Sequence, residues 1–217
     1  MFRQKSLLGW GILFLFLFII FSAWIHLGQF VSTDFKITEN LQSFIPKIVN
    51  TPFSILSLIG SLEVVSIVLF ICWAIYRKLN FIIVLIFFGL MHLIELFGKA
   101  FVNHPPPPFK FFRYDLNLLF PSSYVQPGSS YPSGHAGRTA FMSALFLFFI
   151  CNSKLSKRTK YILTEIILIF DVVMFVSRIY LGEHWTSDVI GGALLGFGLG
   201  IISCFILSSK SFKLSKF

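Results

Sequence analysis

Residues 7–25 read Leu-Leu-Gly-Trp-Gly-Ile-Leu-Phe-Leu-Phe-Leu-Phe-Ile-Ile-Phe-Ser-Ala-Trp-Ile, a run without one ionisable side chain. A helix needs about 20 mostly apolar residues to cross the hydrocarbon core of a bilayer. This run is too long and too poorly ended to be a cleaved leader. Five more runs follow: Phe53 to Tyr76, interrupted only by Glu63; Leu79 to Gly98, with Glu95 near its end; Ala136 to Cys151; Tyr161 to Leu181; and Val189 to Ser209. None has the short alternating pattern of a barrel strand. The expected fold class is all-α, a bundle of six transmembrane helices with spans at about 7–27, 53–76, 79–98, 135–152, 160–181 and 188–209. With no internal repeat, residues 1–217 are expected to form one integral-membrane domain.

Composition agrees. Of 217 residues 56% are hydrophobic and 12% charged, against roughly 25% charged in a soluble domain. So little charge excludes an ordinary cytosolic globule, a disordered chain and a nucleic-acid binder. The net charge of +9 is mostly a topology signal. With the N-terminus inside, Arg3, Lys5, Arg77, Lys78, Lys154, Lys157, Arg158, Lys160, Lys210, Lys213 and Lys216 all fall in cytoplasmic segments that hold no Asp or Glu. The positive-inside rule then predicts a multi-pass cell-membrane protein with both termini cytoplasmic. Anionic lipid headgroups are natural partners of those cations. Cys72, Cys151 and Cys204 lie in apolar runs and imply no disulfide framework. All nine prolines fall outside the spans, and a long, aromatic-rich outer loop, Ala100 to Tyr131, joins spans three and four.

Polar groups at membrane depth cost at least about 2.5 kcal/mol each on insertion scales and need a reason. Three clusters stand at the same outer level. Glu95 and Lys99 are four apart on the third span; Pro132-Ser133-Gly134-His135 opens the fourth; Ser177-Arg178 closes the fifth, with His184 and Asp188 opening the sixth. A helix start with a hydroxyl and free N–H groups, Ser133 and Gly134, is an anion site. Lys99 and Arg178 add fixed positive charge. His184 and Asp188 sit one turn apart, so the carboxylate can hold one ring nitrogen and leave the other nucleophilic. His135 can give a proton to a leaving group. The chemistry this suits best is phosphoryl transfer at the outer face.

These residues resemble the motifs of the type 2 phosphatidic acid phosphatase superfamily, six-helix membrane enzymes marked by Lys-x6-Arg-Pro, Pro-Ser-Gly-His and Ser-Arg-x5-His-x3-Asp. The second motif is intact at Pro132–His135 and the third at Ser177, Arg178, His184 and Asp188. The resemblance implies a lipid phosphatase that needs no metal or other cofactor. His184 would form a phosphohistidine, Asp188 would orient it and His135 would protonate the leaving oxygen. Lys99, Ser133, Gly134 and Arg178 would bind phosphate. Implied substrates are a polyprenyl pyrophosphate, phosphatidic acid or phosphatidylglycerol phosphate. The alternatives are a lipid phosphotransferase of the same fold and a degenerate member that only binds phospholipid.

The first motif departs from the pattern. Seven residues beyond Lys99 stands Pro106 where the family has arginine, while Pro107 keeps the proline. His104, Lys110, Arg113 and Arg138 are candidates for the missing charge. Arg138 comes first, on the face of His135 with a planar fork suited to phosphate, and Arg113 second.

Other polar residues read as structural. Glu95 is expected to neutralise Lys99, and Asp171 to make a hydrogen-bonded contact between helices. His26 and His92 fit interfacial or packing roles. Gly192, Gly196 and Gly200 form a small-residue stripe suited to close helix packing.

Overall fold

The computed structural model describes residues 4–76, 81–116 and 128–208, and these residues hold eight α-helices and no strand. The helices are α1 (Gln4–His26), α2 (Val31–Phe44), α3 (Asn50–Ile59), α4 (Leu62–Tyr76), α5 (Ile82–Phe101), α6 (Gly134–Asn152), α7 (Lys157–Tyr180) and α8 (Thr186–Leu207). The all-α expectation holds. Four helices, α1 from Ser6, α5, α6 and α8, are long and apolar enough to cross a membrane. The expected span 53–76 is instead two helices, α3 and α4, which with the short turn before α3 bend by 43° at Gly60 and Ser61. Taken as one element, the bent pair is a fifth candidate span. Helix α7 has the length, but Glu165, Asp171 and Arg178 make it more polar than the others. Arg3, Arg77, Lys78, Lys210, Lys213, Lys216 and the loop aromatics Phe120 and Tyr124 lie outside the described residues.

Helices α6 and α8 form the centre, with α1 and α5 against α8 and α7 against α6. The glycine stripe explains how close α6 and α8 come. A Cβ on Gly192 would strike the Ser133 carbonyl, one on Gly196 the Gly137 carbonyl, and one on Gly200 the Ala144 methyl. Small residues let two backbones pack without a side chain between them. The α6–α8 contact brings the start of α6 to the first turn of α8, where the two intact motifs lie.

Helix α2 was not among the expected spans. It carries Asp34, Thr38 and Gln42 on one buried face, four apart. The Gln42 amide donates to the carbonyls of Phe111 at 2.6 Å and Tyr180 at 2.7 Å, tying the loop after α5 to the end of α7. That loop is pinned again by Arg113 N–H to Leu181 O, 2.9 Å. Gly182, at φ +70°, takes the left-handed turn that ends α7, and a Cβ there would collide with the Phe111 carbonyl. Asp171 accepts the Ser143 hydroxyl at 2.6 Å between α7 and α6, the structural contact expected of it.

Candidate active site

Ser133 caps α6, its hydroxyl accepting the Ala136 N–H at 3.5 Å. Its own N–H donates 2.9 Å to the Asp188 carbonyl. That bond joins the second motif to the third. Gly134 sits where a Cβ would run into the Glu95 carboxylate and the Arg138 guanidinium.

Asp188 is fully buried in the first turn of α8. Its Oδ2 accepts the Trp185 N–H at 2.9 Å, capping the helix from the third position inward. The same oxygen lies 3.5 Å from His184 Nδ1, the pairing that the four-residue spacing anticipates. The His184 side chain is 13% exposed, so the ring has access to the outside while its Nδ1 edge is covered.

Arg178 is buried at the end of α7. Its Nη1 donates to the Ser57 hydroxyl and the Glu183 carboxylate, Nη2 to the Phe53 carbonyl at 3.3 Å, and Nε to the Ser177 hydroxyl at 3.3 Å. Glu183 thus offsets the guanidinium charge, and α3 supplies two of its acceptors. The His135 ring, half-buried, places Nε2 3.4 Å from the same Ser57 hydroxyl. Gly60, at the bend between α3 and α4, leaves room for that ring, since a Cβ there would approach His135 Cδ2 to 3.1 Å. His184 and Arg178 both lie within electrostatic reach of His135.

Lys99 is held by Glu95, with Nζ 2.8 Å from Oε1. Glu95 is buried and also receives His92 Nδ1 at 3.0 Å and Arg138 Nη1 at 3.2 Å. The neutralising role expected of Glu95 is therefore present, and it extends to Arg138. Arg138 turns its Nε to the Gly60 carbonyl, 2.9 Å away. Arg113 lies on the other flank, its guanidinium 4.9 Å from the centre of the Tyr180 ring. Its Nη1 is buried without a hydrogen-bond partner among the described residues. Lys110 rests over the rings of Phe35 and Phe111. His104 is buried against Asp34, Ser187 and Asp188.

Three residues of the site escaped the sequence reading. Ser57 looked like an ordinary small residue of an apolar run; the signal was its i, i+3 partner Ser54, also buried on the same face of α3. Glu183 was a charge in the spacer of the third motif. Asp34 lay in a segment not read as a helix, where the 34, 38, 42 spacing of polar residues was the available clue.

An all-helical apolar bundle with helices long enough to cross a membrane, carrying two histidines, a buried aspartate and a buried arginine near one another, defines a class of protein: a helical membrane fold. The sequence pattern of the PAP2 superfamily matches residues 77–211. That is more than half of the chain, which belongs to this superfamily. The chain is 28% identical over 213 residues to phosphatidylglycerophosphatase B of Bacillus subtilis (strain 168), covering 94% of this chain and 96% of that protein. Its fold is similar to the crystal structure of the transmembrane PAP2-type phosphatidylglycerolphosphate phosphatase from Bacillus subtilis, with TM-score 0.73, 21% identity, and 89% of this chain and 93% of that chain covered. It is also similar to the crystal structure of Aquifex aeolicus LpxE, with TM-score 0.58, 25% identity, and 78% and 93% covered.

Proposed function

We propose that this protein is a membrane lipid phosphatase that hydrolyses a phosphomonoester or diphosphate of a lipid without a metal ion. The observation that carries the reading is the bond from Ser133 N–H to Asp188 O, which brings an anion-binding helix start beside a carboxylate-oriented imidazole. The name of the 28%-identical relative supports a phosphatidylglycerol phosphate type of substrate. Phosphatidic acid and polyprenyl pyrophosphate carry the same reacting group.

In the proposed mechanism His184 keeps its Nδ1 proton toward Asp188 and attacks phosphorus through Nε2. A P–N bond forms as the P–O bond to the lipid breaks, and His135 gives its proton to the departing oxygen. Water then attacks the phosphohistidine, gives its proton to His135 and releases phosphate. Lys99, Arg178, the Ser133 hydroxyl and the N–H groups of Gly134 and His135 hold the phosphoryl oxygens. Arg138 and the unpartnered Nη1 of Arg113 supply the positive charge that Pro106 does not. Preorganised charge of this kind is often the largest catalytic contribution.

The apolar helices support one domain spanning a membrane, with α7 as a sixth span and its charges shielded by α3 and α6. The distribution of basic residues supports cytoplasmic termini and a site at the outer face.

The test is phosphate release by the purified protein from a panel of lipid phosphates, with His184→Ala as the blank. Stoichiometric free phosphate and a base-stable, acid-labile phosphoprotein that disappears in His184→Ala are expected. Undiminished release by His184→Ala overturns the mechanism.

A further inference from the structure

His104 lies in the departing first motif, and phosphate chemistry at His184 makes no direct use of it. It is nevertheless almost completely buried. Its Nε2 stands 3.1 Å from the Ser187 hydroxyl, 3.4 Å from Asp188 Oδ1 and 3.7 Å from Asp34 Oδ2. Asp34 accepts both the N–H of Ser187 at 2.9 Å and its hydroxyl at 2.6 Å. The titratable groups facing one another here are Asp34 from α2, His104 from the loop, and Asp188 with His184 from the start of α8. Burial, opposed by the two Ser187 bonds, pushes the Asp34 carboxyl up from its ordinary value.

The backbone around the ring is fixed from several sides. The His104 carbonyl accepts the Ser130 N–H at 2.9 Å and the hydroxyls of Ser129 and Ser130 at 3.3 and 3.2 Å. The next carbonyl, of Pro105, accepts the Trp185 indole N–H at 2.8 Å. A loop residue held this firmly presents one ring edge to one place.

Asp188 divides its two oxygens between two histidines. Oδ2 lies 3.5 Å from His184 and takes the Trp185 N–H, while Oδ1, buried without a hydrogen-bond partner among the described residues, has His104 Nε2 3.4 Å away. A carboxylate with one oxygen unanchored can rotate about its Cβ–Cγ bond, and Oδ2 then leaves His184 Nδ1. Apolar packing alone would not call for an imidazole at this point, because a buried polar ring without partners is costly.

We propose that His104 is a positioning residue: with the Ser187 hydroxyl proton committed to Asp34, its Nε2–H is shared between the Ser187 oxygen and Asp188 Oδ1 and holds that carboxylate so that Oδ2 stays aimed at His184. The relay runs Asp34–Ser187–His104–Asp188–His184 and ties α2 and the outer loop to the nucleophile. This inference rests on the proposed role of His184.

The test compares His104→Leu, His104→Gln and His104→Asn in hydrolysis of phosphatidic acid in detergent micelles, with His184→Ala alongside. A glutamine amide reaches the place of Nε2; an asparagine amide stops one bond short. His104→Leu is expected to lower kcat at least about tenfold, the change for losing about 1.4 kcal/mol, with KM within about twofold. His104→Gln is expected to recover at least about a third of wild-type kcat, and His104→Asn is expected to remain as slow as leucine. The inference is overturned if His104→Leu keeps full kcat, or if glutamine and asparagine are equally active. Should the leucine variant not fold, the glutamine-to-asparagine comparison decides alone. An active His184→Ala would instead overturn the proposed function, so the two failures are distinguishable.

Discussion

Arg138 and Glu95 meet across the α5–α6 contact with Nη1 3.2 Å from Oε2, both buried. The other oxygen of Glu95 takes Lys99, so one carboxylate holds two cations that would otherwise repel each other beside the start of α6.

Breaking that pair separates stability from catalysis. Glu95→Gln leaves a buried arginine uncompensated and should cost about 3–5 kcal/mol, read as a lower Tm in detergent. Replacing both partners, Glu95→Gln with Arg138→Met, should restore much of the Tm. On the proposed role of Arg138, the double variant should still have kcat/KM lowered at least about tenfold. Full activity in the double variant would show that Arg138 contributes only to packing.

Ser57 connects Arg178 to His135, accepting from the first and lying 3.4 Å from the second. Ser57→Ala removes a hydrogen bond to a charged group, worth about 1.5–3 kcal/mol. Steady-state kinetics should show kcat down by about ten- to a hundredfold with the protein still folded. A kcat within about twofold of wild type would remove Ser57 from the site.

Glycines at helix contacts should differ sharply from one in open surroundings. Gly192→Ala places a methyl against the Ser133 carbonyl and the Gly137 amide. It should destabilise by about 1–3 kcal/mol through overpacking and loosen the Ser133–Asp188 bond, so phosphoprotein yield should fall as well. Gly9→Ala meets nothing within 4 Å and should raise stability by up to about 1 kcal/mol through helix propensity. Thermal unfolding of the two variants side by side checks the contrast.

The sequence by itself determined the all-helical membrane class of fold and singled out the residues of the candidate site. Long uncharged runs can be satisfied only as helices in an apolar surround, because each backbone polar group must then bond within its own segment. His184, in the bend just before α8, and Asp188, in its first turn, are four apart, and the Ser133 cap is likewise local, so short-range sequence spacing brings them near. The bend at Gly60 and helix α2 were not legible. A glycine within an apolar run is compatible with a straight helix, and α2 owes its buried polar face to partners far along the chain. Tertiary structure alone decided that Ser57 meets Arg178, that Glu95 takes Arg138 in addition to Lys99, and that His104 stands against Asp188 rather than in the place of the missing arginine. The contacts of Ser57, Arg138 and His104 join residues 43 to 121 positions apart, and what sets them is the close approach of α6 and α8 and the anchoring of the loop after α5 on α2 and α7.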